Sequence, residues 1–283
     1  MLPRGEEVAL RVHDLTVRFD GIVALEDVSL DANAGEVLGV IGPNGAGKTT
    51  LFNAICGFVR PESGEIVWRG DSLRRTPTHK LAALGIARTL QGIGLFEHLS
   101  ALENVMVGAD SRRRGGLASN LLGLPRSDRS ERELRELASA ALQRLGVADV
   151  ADRLPGSLPY PVCKRVGLAR ALVCEPALLL LDEPAAGLDA EDISRLGELI
   201  GELRGSMTVM LVEHRMDFVT DLCDRVVVLD FGRVIASGAP AAIQADPQVL
   251  EAYLGFEADE PGDTQTPADT QTGGAITAEA GGA

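Results

Sequence analysis

The pattern of apolar and polar positions changes period several times along the chain. Residues 8–17 alternate roughly and predict a strand, and residues 23–30 predict a second. Residues 36–41 form a buried-type strand ending in a glycine-rich turn, and residues 48–56 then carry helical spacing up to a stop at Gly57. A short strand is predicted over 65–68. The stretch from about 78 to 154 reads as mostly helical. Within it residues 131–145 are amphipathic, with Leu134, Leu137, Ala141, Leu142 and Leu145 on one face. Residues 111–130, rich in Arg, Gly and Ser, read as an exposed loop. Another helix follows Pro161 to about Cys174, then an apolar strand over 177–181, a helix over about 190–203 and a strand over 207–212. Residues 224–237 predict a hairpin that turns on Asp230-Phe231-Gly232. Buried strands alternating with helices indicate an α/β core with a largely parallel sheet. Beyond Phe256 the text falls to Gly, Ala, Thr, Asp and Pro, with DTQT at 263–266 and again at 269–272. That composition predicts a disordered acidic tail over 259–283.

Composition narrows the function classes. With 283 residues, 45% of them hydrophobic, the chain can bury a sizeable core. Aromatics make up 4% and there is one Trp, which leaves little material for stacking on bases. The net charge of −14 disfavours binding to phosphate backbones or anionic lipid, so no nucleic-acid partner is expected. Part of that charge lies beyond residue 256, where Glu257, Asp259, Glu260, Asp263, Asp269 and Glu279 occur without any Lys or Arg. The four cysteines form no C-x-x-C pair and predict reduced thiols in a cytosolic protein. Residues 1–12 have no signal-peptide core, and no segment approaches the ~20 apolar residues that span a bilayer. A cytoplasmic chain is expected.

Two motifs carry chemistry. Gly42-Pro43-Asn44-Gly45-Ala46-Gly47-Lys48-Thr49 matches G-x-x-x-x-G-K-[ST], after a predicted strand and before a predicted helix. Its glycines let backbone N–H groups turn inward around phosphates, and the helix N-terminus adds a favourable partial charge. Lys48 is expected to reach the terminal phosphates and Thr49 to ligate Mg²⁺, with Thr50 completing the nucleotide-binding run. The complementary piece is Leu178-Leu179-Leu180-Leu181-Asp182-Glu183, an apolar strand that delivers two carboxylates to its carboxyl end. Asp182 is expected to act on Mg²⁺, directly or through water, and Glu183 to orient or polarise the attacking water.

Further residues follow in an order that resembles the ABC ATPases. Gln91 stands in Arg88-Thr89-Leu90-Gln91, Asp189 in Ala186-Gly187-Leu188-Asp189, and His214 in Val212-Glu213-His214. Phe19 precedes the phosphate loop and looks like the aromatic that stacks on adenine. The resemblance covers about residues 8–256. It implies a P-loop NTPase core of ABC ATPase type within residues 1–258, carrying an antiparallel β subdomain and a helical subdomain at about 90–175. It also implies ATP and Mg²⁺ as cofactors, Gln91 and His214 as catalytic groups beside Glu183, and Gln91 as a further metal contact. Two such domains would close face to face on ATP and pull on integral-membrane permease subunits at the cytoplasmic face of the plasma membrane.

A subfamily is indicated as well. Gly85-Ile86-Ala87-Arg88-Thr89-Leu90-Gln91, then Leu95-Phe96, Leu102-Glu103-Asn104-Val105 and the ending Glu251-Ala252-Tyr253-Leu254-Gly255 are similar to the ATPase subunits of branched-chain amino acid importers, which work with a solute-binding protein. Urea and short-amide importers share much of this text, and a cytosolic ABC ATPase switch without transport is the alternative from another class. The chain departs from the family at its signature, usually L-S-G-G-Q. Here the text is Leu158-Pro159-Tyr160-Pro161-Val162. Pro159 removes the serine hydroxyl, and Pro161 removes a backbone donor while remaining well placed to begin a helix. The altered signature favours a heterodimer with a second, similar ATPase over a homodimer.

Overall fold

The structure, a computed structural model, describes residues 7–89, 94–109 and 125–257, with the side chains of 125–130 and 254–257 left aside. Gln91, most of the 111–130 stretch and the tail over 259–283 lie outside the described residues.

Two sheets organise the chain. The first joins β1 (Val8–Phe19), β2 (Ile22–Asn33), β4 (Ser63–Trp68) and β5 (Asp71–Ser72) in the order β2-β1-β4-β5, antiparallel throughout. The second has six strands in the order β10-β9-β3-β8-β7-β6: β3 (Val37–Ile41), β6 (Ile86–Arg88), β7 (Leu178–Asp182), β8 (Thr208–Val212), β9 (Arg225–Asp230) and β10 (Arg233–Gly238). It is parallel except for the β9–β10 hairpin at its edge. The apolar runs of β3, β7 and β8 follow from this placement, since strands covered on both faces need no polar alternation. Alternate residues serve different cores. Leu179 and Leu181, with Val209 and Leu211, pack under helices, whereas Leu178 and Leu180, with Met210 and Val212, face the helix that follows β3 and the four-stranded sheet. Each of these fully buried side chains contributes about 1.5–3 kcal/mol of burial.

The helices are α1 (Lys48–Ile55), α2 (Ala101–Gly108), α3 (Pro125–Arg144), α4 (Tyr160–Leu172), α5 (Ala190–Leu203), α6 (Met216–Leu222), α7 (Pro240–Gln244) and α8 (Pro247–Glu257). Helix α2 starts on a capping box in which Ser100 and Glu103 satisfy each other's backbone N–H. Helix α5 starts on Asp189, whose Oδ1 accepts the Asp192 N–H at 2.9 Å, and it buries Ile193, Leu196, Ile200 and Leu203. Helix α3 presents Leu134, Ala138 and Leu142, followed by Leu145 just past its end, to the core shared with α2 and α4. No described helix is long and apolar enough to cross a membrane.

Two sequence expectations need correction. Residues 86–88 lie in a stretch expected to be mostly helical, yet they form β6, whose Ile86 pairs with Leu178 in parallel register. Three residues carry too little periodicity to distinguish a strand from a helical turn, and only the exposed edge of β7 decides the matter. The loop expected over 111–130 does not extend to its predicted end, because α3 already begins at Pro125, a favoured first helical residue.

Candidate nucleotide site

The carboxyl ends of β3, β7 and β8 bring the two motifs together. After β3 the chain enters Gly42 at φ 149°, then passes Gly45 at φ 79° and Gly47 at φ 101° before α1. A Cβ on Gly42 would stand 2.0 Å from the Leu229 carbonyl oxygen, so no other residue fits that step. Helix α1 begins with neither a side-chain cap nor an acidic residue in its first turn. Its leading N–H groups therefore remain available to an anion. Asn44, Gly45 and Thr49 are exposed and Ala46 is buried.

Lys48 is buried and donates to the carbonyls of Gly42 at 2.6 Å and Pro43 at 2.7 Å, folding over its own loop. Burial lowers its pKa, and the nearby Glu183 and Asp182 carboxylates oppose that shift. The cation is thus held between the loop and the strand-end carboxylates before any ligand is considered. A cradle of backbone donors, one partly desolvated cation and adjacent carboxylates fit a nucleoside triphosphate with a divalent cation.

Asp182 ends β7 with its side chain fully buried. Its Oδ2 accepts from Arg88 Nη2 at 2.7 Å, while Oδ1 has no partner among the described residues. An uncompensated carboxylate oxygen at the bottom of a phosphate cradle suits a metal ion or its water. Arg88 also donates to Asn53 Oδ1 at 2.7 Å and lies over the Phe52 ring, tying α1, β6 and β7 together. In the sequence Arg88 stands out only as part of a family motif. The demand of a buried Asp182 for a counter-ion was the available signal, but nothing in the sequence said which cation would reach it.

Glu183 follows in the left-handed region at φ 48°, unusual for a residue with a Cβ. Its N–H donates to the Val212 carbonyl at 3.0 Å, which pins the turn to the end of β8. His214 lies two residues beyond β8, with an exposed side chain, and its N–H donates to Glu213 Oε2 at 3.2 Å. Because Asp182 pairs with Val212 in the parallel ladder, Glu183 and His214 leave adjacent strand ends. Phe19 ends β1 and pairs with Ile22 across a tight turn, with 45% of its surface exposed. The β2 strand of that hairpin runs against the phosphate loop: the Ala24 carbonyl stands 2.6 Å from where a Cβ on Gly47 would be. The hairpin turn at Gly232 wedges between them, accepting from Glu26 N and donating to Ala46 O. The Asp230-Phe231-Gly232 text predicts the turn, but nothing in it predicts that the turn buttresses the loop.

The altered signature begins α4. Pro159 is the cap residue, Tyr160 and Pro161 fill the first turn, and no side chain caps the helix. A cleft of about 480 Å³ runs from Thr89, Asp182 and Glu183 between α4 and α5, lined also by Lys164, Arg170 and Arg195.

Comparison with known proteins agrees with this geometry. Residues 25–186 match the family described as ABC transporter, and residues 233–255 match the one described as branched-chain amino acid ATP-binding cassette transporter. The chain is 40% identical over 248 residues to the high-affinity branched-chain amino acid transport ATP-binding protein LivG of Salmonella typhimurium, covering 87% of this chain and 97% of that one. It is 39% identical over 248 residues to BraF of Pseudomonas aeruginosa, of the same description, with 87% and 97% covered. Among solved structures, a nucleotide-free ATP-binding cassette from an ABC transporter aligns with a TM-score of 0.76 at 30% identity, covering 87% of this chain and 98% of that chain.

Proposed function

Because the chain belongs to the ABC transporter ATP-binding family, we propose that it hydrolyses ATP to power an importer of branched-chain amino acids. The observation that carries this reading is the convergence of Gly42 to Thr50, Asp182, Glu183 and His214 at the carboxyl ends of β3, β7 and β8. The cargo rests on the relatives LivG and BraF and on the match over residues 233–255.

In this reading Lys48 binds the terminal phosphates, and Thr49, Asp182 and Gln91 would hold Mg²⁺. Glu183 orients the attacking water, which its position at a strand end allows, and His214 contacts the terminal phosphate. Phe19 meets the adenine from the β1–β2 hairpin. Mg²⁺, when bound, would supply neutralisation of phosphate charge; the protein supplies binding, alignment and the acceptor for the water's proton.

The partners are integral-membrane permease subunits, a solute-binding protein and a second, similar ATPase, with the chain attached peripherally to the cytoplasmic face of the plasma membrane. A non-identical ATPase partner is favoured by the signature. Pro159 has no hydroxyl, Pro161 has no N–H, and the Tyr160 ring lies against Gly187 of its own chain. The deciding experiment reconstitutes the chain with its membrane subunits in proteoliposomes and follows ATP-dependent uptake of labelled leucine and labelled urea. Leucine uptake is expected. Uptake of urea alone would reassign the cargo, and ATP turnover without any membrane partner or uptake would favour a cytosolic switch.

A further inference from the structure

The turn that carries Glu183 is held by two side chains that the nucleotide chemistry does not use. Lys164 lies on α4, five residues after the Pro159 cap. Its ammonium donates to the carbonyl oxygens of Glu183 at 3.1 Å, Pro184 at 3.0 Å and Ala186 at 2.6 Å. An ammonium has three N–H donors, and all three are engaged by one turn. From the other side Glu213, fully buried, accepts the Ala185 N–H on Oε1 at 2.7 Å and the His214 N–H on Oε2 at 3.2 Å. The four residues 183–186 are therefore gripped through the carbonyls of three of them by a cation and through the N–H of the fourth, Ala185, by an anion. The Tyr160 ring completes the contact. It lies 5.4 Å from the Lys164 ammonium and packs where a Cβ on Gly187 would approach it to 3.0 Å. Burial lowers the Lys164 pKa, and the Glu213 and Glu183 carboxylates oppose that shift, so both acids lie within electrostatic reach of the ammonium.

We infer that Lys164 is a positioning residue for ATP hydrolysis: with Glu213 behind the turn, it fixes the left-handed backbone at Glu183 and so aims the Glu183 carboxylate. It touches neither nucleotide nor water in this role. The carbonyls it binds belong to the residue that does, and the same turn leads to Asp189 at the start of α5. A Lys serves here because three convergent oxygens surround a point charge; the planar fork of Arg matches them less well. This rests on the reading of Glu183 as the water-orienting group.

The test is a double-mutant cycle read by single-turnover hydrolysis at saturating ATP, with nucleotide affinity measured separately, on the full-length protein. Lys164→Met should slow hydrolysis by roughly 10- to 100-fold, the scale of a displaced catalytic group, with ATP affinity within about 2-fold of the parent. Lys164→Arg, which keeps the charge and donors, should lose only about 3-fold. In a Glu183→Gln background Lys164→Met should cost nothing further, because the group it positions is already disabled. Equal losses in both backgrounds would overturn the inference, as would unchanged hydrolysis in Lys164→Met. If Glu183→Gln alone hydrolyses at the parent rate, the fault lies with the assignment of Glu183 itself. Should Lys164→Met fail to fold, Lys164→Arg carries the cycle: its loss must disappear in the Glu183→Gln background, and an undiminished loss there overturns the inference.

Discussion

The phosphate loop and the turn after β7 sit side by side, yet they are built in opposite ways. The loop is local. Gly42, Gly45, Gly47 and Lys48 stand within seven residues, and Lys48 bonds to carbonyls five and six positions earlier. The turn at residues 183–186 is assembled from afar. Lys164 reaches it from 19 to 22 positions before, Glu213 from 28 positions after, and the Val212 carbonyl from the neighbouring strand. The grip on the Lys48 ammonium lies within the loop itself, although the Gly232 turn buttresses the loop backbone at Ala46. The assembled turn can fail through any of its supports. Both carboxylates depend on distant groups in different ways: Asp182 is bonded directly by Arg88, 94 positions away, whereas Glu183 is held through the backbone of its turn.

Four changes would break or sharpen this contrast. The largest effect is expected from Lys48→Ala, which deletes the cation inside the loop. ATP turnover should fall by about 10³-fold or more, with nucleotide affinity falling too, on the scale of lost transition-state charge stabilisation. Near-normal turnover in the assembled complex would remove the loop from the mechanism. Next comes Arg88→Met, which leaves Asp182 buried and unpaired. Unfolding stability should drop by about 3–5 kcal/mol, as for other broken buried pairs, and denaturant melts would show it directly. A variant as stable as the parent would mean that another group or solvent compensates Asp182. Glu183→Gln should bind ATP normally but hydrolyse it ~10²-fold more slowly, the range of general-base losses. Unchanged single-turnover rates would take the water-orienting role away from Glu183. The smallest effect belongs to removal of residues 259–283, a segment with almost nothing apolar to bury. Melting should move by less than about 0.5 kcal/mol equivalent, and a shift of several degrees would show that the tail docks.

Much of the scaffold was legible in advance because each strand of the parallel sheet announces itself locally. The runs at 37–41, 178–181 and 209–212 carry no polar side chain, and the helices between them carry their own spacing. The edge strand at Ile86–Arg88 was not legible, since three residues show no period and their pairing depends on Leu178–Leu180 arriving alongside. The hairpin turn at Gly232 was legible as a turn but not as the buttress between Ala46 and Glu26.

By itself the sequence determined the chemistry: which residues could wrap phosphate, which strand would deliver Asp182 and Glu183, and which departures Pro159 and Pro161 introduce. Those features depend on residue type and short spacing, where backbone sterics and side-chain charge act within a turn or two. Tertiary structure alone decided that Arg88 would neutralise Asp182, that Lys164 and Glu213 would grip the turn from opposite sides, and that Tyr160 would lie on Gly187. A charged side chain is solvated equally well almost anywhere on a surface, so its identity carries no address. Only when packing removes water from a particular carboxylate or carbonyl does one Lys or Arg among 27 become the partner it cannot do without.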